Sequence, residues 1–101
     1  MDVKVPTERA IKIPTVHLNG TSKDELLRQI HDAHVAVQAA LDALAKARPH
    51  GRDYYVQAVE PGAYDAYTLA RNESQVREAK LSEVLDELQA IYVGIEQQGR
   101  R

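Results

Sequence analysis

Apolar residues recur along the middle of the chain at alternating steps of four and three. The first such run contains Leu26, Ile30, Ala33, Val37, Ala40, Leu44 and Ala47. This spacing predicts an amphipathic helix with one side packed against a second helix. Ser22 and Glu25 fit the S-x-x-E capping box at its start, and Pro49 with Gly51 ends the pattern. The predicted first helix covers residues 22–48, and a connecting loop covers residues 49–61.

A longer run predicts a second helix over residues 62–97, with Pro61 favourable in its first turn. The predicted seam of this helix consists of Ala63, Tyr67, Ala70, Ser74, Arg77, Leu81, Val84, Leu88, Ile91 and Ile95. Polar residues interrupt its apolar face at Glu73, Ser74, Arg77 and Lys80. Polar seam positions commonly set helix register or oligomeric state. The alternative is that Arg77 and Lys80 face an anionic ligand inside an oligomer.

The predicted fold is an all-α antiparallel helical hairpin formed by a single domain. Residues 1–21 form a short extended N-terminal arm, broken by Pro6 and Pro14, that is expected to pack across a neighbour. Residues 98–101 form a frayed tail. One hairpin cannot cover its apolar stripe on both sides, so we expect a homo-oligomer built as a helix bundle.

Composition narrows the possible partners. The 101 residues are 44% hydrophobic and contain no Phe, Trp or Cys, so the core is thin and no thiolate chemistry is available. The formal net charge of −2 and the lack of a clustered basic face disfavour nucleic acid, and a small DNA-binding regulator is the weakest interpretation. No signal-peptide core or membrane-length apolar run is present, so we expect a cytoplasmic protein without a membrane partner.

The connection between the helices has the composition of a binding site. All but one of the five tyrosines lie between residues 54 and 67, directly after a segment containing His50 and Arg52. Arginine binds phosphate through a fork of donors, and tyrosine rings stack on nucleotide bases. The candidate ligand-binding residues here are His50, Arg52, Tyr54, Tyr55 and Tyr64. The alternative is that the tyrosines only seal the end of the hairpin, with their hydroxyls in water.

A second candidate is the polar loop that runs into the first helix. His17, Asn19 and Thr21, with the free amides of the helix start, could hold an anion, although a simple capping turn explains the same residues. This loop lies at the end of the hairpin opposite the tyrosines. Only assembly across subunits would bring the two loops into one intersubunit pocket.

Metal and enzyme chemistry find little support in the sequence. His31 and His34 stand one helical turn apart, but zinc sites usually need a third protein ligand, and none is positioned here. None of the standard nucleophile, dinucleotide, P-loop or zinc-protease motifs occurs. We therefore expect no metal, no cofactor and no catalysis.

The segments IPTVHLNGTSKDELL and HGRDYY, each beside a predicted helix, resemble small uncharacterised helical proteins encoded in tailed-phage and prophage genomes. The resemblance extends over most of residues 11–97. In size, helical content and expected oligomerisation the chain is also similar to helical phage proteins that sequester the nucleotide second messengers of bacterial defence systems. The resemblance implies an accessory protein that acts by binding in the cytoplasm of a bacterial host.

Two functions are consistent with these patterns. The first is sequestration of a small anionic, nucleotide-like ligand, such as a defence-system second messenger, by His50, Arg52, Tyr54 and Tyr55 at a subunit junction. The second is a protein-interaction or virion-associated module that docks on a host or phage protein through its tyrosine-rich end.

Overall fold

The computed structural model describes residues 11–57 and 65–99, and these residues form two helices and no β-strand. Helix α1 spans Lys23–Lys46 and helix α2 spans Ala66–Glu96, and a single turn of 3-10 helix, Gly51–Asp53, follows α1. The predicted all-helical class is therefore confirmed.

Side-chain caps set where both helices begin. Ser22 Oγ accepts a hydrogen bond from the Glu25 amide at 3.1 Å, as the capping box predicts for α1. Helix α2 begins at Ala66, later than the predicted residue 62, because Asp65 has extended backbone angles (φ −71°, ψ 162°). The Asp65 carboxylate accepts from the Thr68 amide at 2.7 Å and caps the helix there. The predicted helical residues 62–64 lie outside the described residues.

The two helices pack against each other in opposite directions. At the start of α1, Lys23 Nζ donates to the Gln98 carbonyl at 2.6 Å, just beyond the end of α2. At the end of α1, Arg48 pairs with Glu78 in the first half of α2. Because the contact partner moves backward along α2 as α1 advances, the pair is antiparallel.

The phase of α2 differs from the predicted seam in its middle. Glu78 and Leu85 are half-buried on the side of α2 that faces α1, whereas Arg77 and Val84 are exposed. A spacing of four and three residues fits both helix phases. In the observed phase, Glu78 faces α1 and forms an ion pair with Arg48. The exposed positions Glu73, Arg77 and Lys80 therefore face away from α1, and Ser74 is the one member of the polar interruption that is buried.

The core of this helix pair is thin. Among the described residues, Ile95 is the only fully buried apolar side chain, with 0% exposure, and no residue of α1 is buried. The apolar seam of α1 is half-buried for the most part, and on α2 the side chains of Leu69, Val76 and Val84 are exposed. Two packed helices leave one side of each apolar stripe open, so much of the hydrophobic surface of this chain stays in contact with water.

The extended segment before α1 lies against the end of α2 of the same chain. Gln98 Oε1 accepts from the Val16 amide at 2.7 Å, and Gln98 Nε2 donates to the Pro14 carbonyl at 2.6 Å. The Ile13 side chain sits directly on Gly94, where a Cβ atom would be only 2.9 Å from Ile13 Cγ2. Gly94 is thus explained by a close approach of the segment and not by a flexible helix end.

Gly94→Ala tests this packing. In an ordinary helix interior the substitution stabilises by about 1 kcal/mol. Here we expect that gain to be cancelled or reversed, because Ile13 must move away from the added methyl group. In an Ile13→Ala background the gain of about 1 kcal/mol should return. Urea unfolding of the four variants measures the coupling, and an equal effect of Gly94→Ala in both backgrounds would contradict the contact.

Candidate functional site

Two grooves adjoin at the end of the molecule where α1 leads towards α2. The first, called the arginine groove, has a volume of about 260 Å³ and is lined by Arg48, Pro49, Tyr67, Arg71, Ser74, Gln75 and Glu78. The second, called the tyrosine groove, has a volume of about 250 Å³ and is lined by Gly51, Tyr54, Tyr55, Gln57, Asp65 and Tyr67. Tyr67 lines both grooves, so its ring is the element that joins them.

The Tyr67 ring is held between an aromatic and a cationic neighbour. The Tyr54 ring lies 6.4 Å away, centroid to centroid, at a tilt of 47°. The Arg71 guanidinium carbon is 5.9 Å from the Tyr67 centroid, within the range of a cation–π contact. Arg71 reaches the ring because residues four apart on a helix lie on the same face. The site therefore places a guanidinium and two aromatic rings side by side.

A second guanidinium in the lining of the arginine groove forms an ion pair with a carboxylate. Arg48 Nε and Nη2 donate to Glu78 Oε2 and Oε1 at 2.8 and 2.6 Å, which is the bidentate geometry favoured by arginine. The Glu78 side chain is 17% exposed and that of Arg48 is 61% exposed. Buried Ser74 Oγ approaches Glu78 Oε2 at 3.5 Å. This pair fastens the loop after α1 to α2 and fixes one wall of the groove.

Hydrogen bonding keeps both carboxylates of the site ionised at neutral pH. Donation by the Arg48 guanidinium lowers the pKa of Glu78 from its ordinary value of 4.5, against a smaller opposing effect of burial. Donation by the Thr68 backbone amide lowers the pKa of Asp65 from its ordinary value of 3.8. Both groups are therefore fixed negative charges that accept hydrogen bonds, and neither is poised to exchange a proton near pH 7.

The lowered pKa of Glu78 predicts an acid-sensitive contribution to stability. The contribution is complete above pH 4.5 and is lost as the pH falls through the lower pKa of the folded state. We expect Glu78→Gln to be less stable than the wild type near neutral pH and to converge with it in acid. Thermal unfolding across this range measures the difference. Glu83→Gln, an exposed carboxylate of the same helix, is the control, and a constant offset between Glu78→Gln and the wild type would contradict the pair.

The structure divides the candidate residues of the connection. Tyr54 is half-buried against Tyr67 and lines the tyrosine groove, which Tyr55 also lines although it is 79% exposed. Arg52 and His50 are exposed, with Arg52 Nη1 3.5 Å from His50 Nδ1, and they stand outside both groove linings. Tyr64 lies outside the described residues.

The other candidate loop lies at the far end of the molecule. His17, Asn19 and Thr21 are exposed and precede α1, which at about 1.5 Å per residue separates them from His50 by roughly 36 Å. The Gly20 amide donates to the His17 carbonyl at 3.1 Å, and a Cβ at Gly20 would be 2.7 Å from His17 Nε2. The turn is therefore closed by the His17 ring packed on a glycine. Within one chain, the two candidate loops do not meet.

Sequence reasoning did not single out the two charged residues that build the arginine groove from α2. Arg71 belongs to no motif that predicts a binding residue. Glu78 was not selected because the predicted helix phase placed Arg77 at the seam instead. A usable signal existed in the spacing of Tyr67 and Arg71, and of Ser74 and Glu78, since each pair is four residues apart on one helix.

A third groove lies between the first half of α1 and the last third of α2. Its volume is about 320 Å³, and it is lined by Ile30, His31, His34, Leu88, Gln89 and Tyr92. His31 Nδ1 is 3.6 Å from Asp32 Oδ1. In the described part of the chain, no group of three His, Cys, Asp or Glu side chains is arranged to hold a metal ion. Neither helix in that part combines the length and apolarity needed to cross a membrane.

Comparison of the chain with protein-family models, with curated proteins and with solved structures found no match. The function must therefore be argued from the geometry of the two grooves.

Proposed function

We propose that this chain is an oligomeric, non-catalytic protein that binds and sequesters a small anionic, nucleotide-like ligand at the arginine and tyrosine grooves. The observation that carries the proposal is the Tyr67 ring with Tyr54 at 6.4 Å and the Arg71 guanidinium at 5.9 Å. Any nucleotide base can stack on the face of a tyrosine ring, and a guanidinium binds phosphate through paired donors. The Tyr67 ring and the Arg71 guanidinium are 5.9 Å apart, so one small ligand can contact both.

The volumes of the grooves favour a ligand shared by both and enclosed by a second subunit. Ligand pockets usually have volumes of about 300 to 1,000 Å³. Each groove alone, at about 260 and 250 Å³, falls below that range. A ligand that spans Tyr67 uses both, and the half-buried helix faces offer the surface on which a second copy would pack. Oligomerisation and ligand binding are thus parts of the same proposal.

Binding without catalysis agrees with the titration behaviour of the site. A general base or acid works best with a pKa near the operating pH. The pKa values of Glu78 and Asp65 are instead lowered by Arg48 and by the Thr68 amide. These carboxylates are suited to accept hydrogen bonds from a ribose or from base amino groups.

The resemblance to phage-encoded helical proteins guides the choice of ligand and compartment. On that basis the ligand class is the nucleotide second messengers of bacterial defence, and the compartment is the cytoplasm of a bacterial host. Thermal unfolding against cyclic di- and trinucleotides and ADP-ribose derivatives tests this choice. A ligand at 100 times its dissociation constant stabilises by about 2.7 kcal/mol, which raises the melting temperature by several degrees. The absence of a shift with every nucleotide would refute the ligand class.

An alternative function is supported by the exposed apolar rim of the same end. Tyr55 is 79% exposed and Val56 is 74% exposed, and aromatic residues at a protruding end are typical of protein-binding hot spots. In this alternative the chain docks on a host or phage protein, as an accessory or virion-associated module. Recovery of one stoichiometric partner from lysate, lost with Tyr55→Ala and retained with Arg71→Ala, would favour it over nucleotide binding.

A further inference from the structure

Gln98 binds the main chain of the extended segment on both sides of Thr15. Its side-chain amide donates to the Pro14 carbonyl at 2.6 Å and accepts from the Val16 amide at 2.7 Å. One residue of a parallel β-strand makes the same pair of bonds to positions two apart on its neighbour. A primary amide can reproduce this pair because it carries a donor and an acceptor together. Gln98 therefore recognises an extended backbone.

Ile13 adds an apolar contact with Gly94, which lies one helical turn before Gln98. Three of its side-chain carbons come within 2.9 to 3.0 Å of the position that a Cβ would occupy at Gly94. Only glycine lets the segment approach the helix this closely. Together, Gly94 and Gln98 form a recognition site for an extended peptide with an apolar residue one position before the Pro14 carbonyl.

Nothing in this recognition requires that the segment belong to the same chain. The site contacts the Pro14 carbonyl, the Val16 amide and the Ile13 side chain, and every copy of the chain carries these groups. The segment is joined to α1 by a short turn at residues 17–21, closed by the bond from the Gly20 amide to the His17 carbonyl. If that turn opens, the segment can make identical contacts on a second copy, which is the low-cost route to a dimer known as domain swapping.

The rest of the molecule supplies a reason for exchange to be favoured. Exchange conserves every contact of the segment. The free-energy difference between two monomers and the exchanged dimer therefore depends on three other terms: opening of the turn, the lost translational and rotational freedom of two molecules, and any additional surface that is covered. Surface that a second copy could cover is abundant here, since α1 has no buried residue and Leu69, Val76 and Val84 of α2 are exposed.

We infer that residues 11–16 of one copy dock on the Gly94 and Gln98 site of a second copy, so that the extended segment is the element that joins subunits. The inference rests on the proposed oligomerisation but not on the ligand proposed for the two grooves. It concerns the opposite end of the molecule, so its failure and the failure of ligand binding are separate results.

The absence of cysteine from the chain allows a direct test with single-cysteine variants. Ile13 Cβ is one bond from carbons that lie 3.0 Å from the Gly94 Cβ position, so cysteines at both sites fall within the roughly 4.5 Å that a disulfide spans. Ile13→Cys and Gly94→Cys proteins are unfolded in urea, mixed in equal amounts, refolded together and oxidised. A double variant carries Ile13→Cys and Gly94→Cys in one chain. When it is oxidised alone at high dilution, an internal disulfide shows that the segment docks on α2.

Random pairing of equal amounts already gives as much 13–94 disulfide as the 13–13 and 94–94 disulfides together. Exchange therefore predicts that the 13–94 disulfide between two different chains exceeds the sum of the two symmetric ones in the mixture. Peptide mass spectrometry distinguishes the three. If the double variant forms an internal disulfide while the 13–94 link in the mixture does not exceed the sum of the two symmetric ones, the segment stays on its own chain and the inference is wrong. A double variant that forms no disulfide overturns it as well, because the docking site itself is then absent.

Gln98→Glu gives a second, milder test that keeps the shape of the side chain. The carboxylate still accepts from Val16 but cannot donate to the Pro14 carbonyl, and the two oxygens repel each other. The single chain and the exchanged dimer each make this contact once per segment. We therefore expect docking of the segment to weaken about tenfold in both forms, measured as a lower yield of the 13–94 disulfide, while dimer affinity stays unchanged. Gln97→Glu makes the same charge change next to the site and is the matched control. An equal effect of the two substitutions would contradict recognition by Gln98.

Discussion

Ile95→Ala is expected to lower the free energy of unfolding by about 2 to 5 kcal/mol, the usual cost of removing a fully buried isoleucine and leaving a cavity. Ile95 has 0% exposure and is the only apolar side chain so buried among the described residues. It lies near the end of α2, close in sequence to two contacts with the N-terminal half of the chain. Ile13 packs on Gly94, and Lys23 Nζ donates a hydrogen bond to the Gln98 carbonyl. Since small domains are stable by only about 5 to 15 kcal/mol, this single change should remove a large share of the stability and lower the melting temperature by about 10 °C or more.

Val84→Ala is the matched control for the cavity experiment. Val84 is also a β-branched residue of α2, but its side chain is 38% exposed. Alanine has the higher helix propensity, so the control should change stability by less than about 0.5 kcal/mol. Urea denaturation at two protein concentrations measures both variants and separates folding from assembly. A similar cost for the two substitutions would show that the end of α2 is not where the chain is held together.

Tyr67→Ala is expected to weaken binding of a nucleotide-like ligand at least tenfold, the larger of the expected effects on function. Tyr67 lines both grooves and contacts Tyr54 and Arg71, so its removal takes away the ring and the support for its neighbours. Stacking of one base on an aromatic side chain contributes about 1 to 3 kcal/mol. Titration calorimetry with the nucleotide that raises the melting temperature most would measure the loss.

Two arginine variants separate the groove from its surroundings. Arg71→Lys keeps the positive charge but loses the planar fork, and it should weaken phosphate binding strongly. Arg52→Ala removes an exposed guanidinium that stands outside both groove linings, 3.5 Å from His50, and should have the smaller effect. Loss of binding with Arg52→Ala and not with Arg71→Lys would assign the anion site to the loop that the sequence suggested first.

The helices were predictable because their signals are local and redundant. The α1 start agrees with the Ser22 cap, and its end agrees with the break before Pro49. The start of α2 was predicted too early, because Pro61 gave a plausible first turn while the Asp65 cap was not recognised. The phase of α2 could not be read from the sequence, since the choice between Arg77 and Glu78 depends on Arg48, thirty positions away along the chain.

The candidate site was predictable as a region and not as a set of contacts. The cluster of tyrosines after His50 and Arg52 indicated the end of the molecule at which the two grooves lie. The cation beside Tyr67, however, is Arg71, one helical turn along α2. The role of Gly94 is likewise not visible in the sequence, because no local pattern indicates that Ile13, some eighty residues earlier, packs on it.

Binding of one ligand to the arginine and tyrosine grooves together can be observed in amide spectra of isotope-labelled protein. The spectra are recorded during titration with each member of the nucleotide panel. We expect shifts concentrated at Tyr54, Tyr67 and Arg71, which saturate together with a single dissociation constant. Shifts that are largest at His17, Asn19 and Thr21, or no saturable shift with any nucleotide, would contradict it.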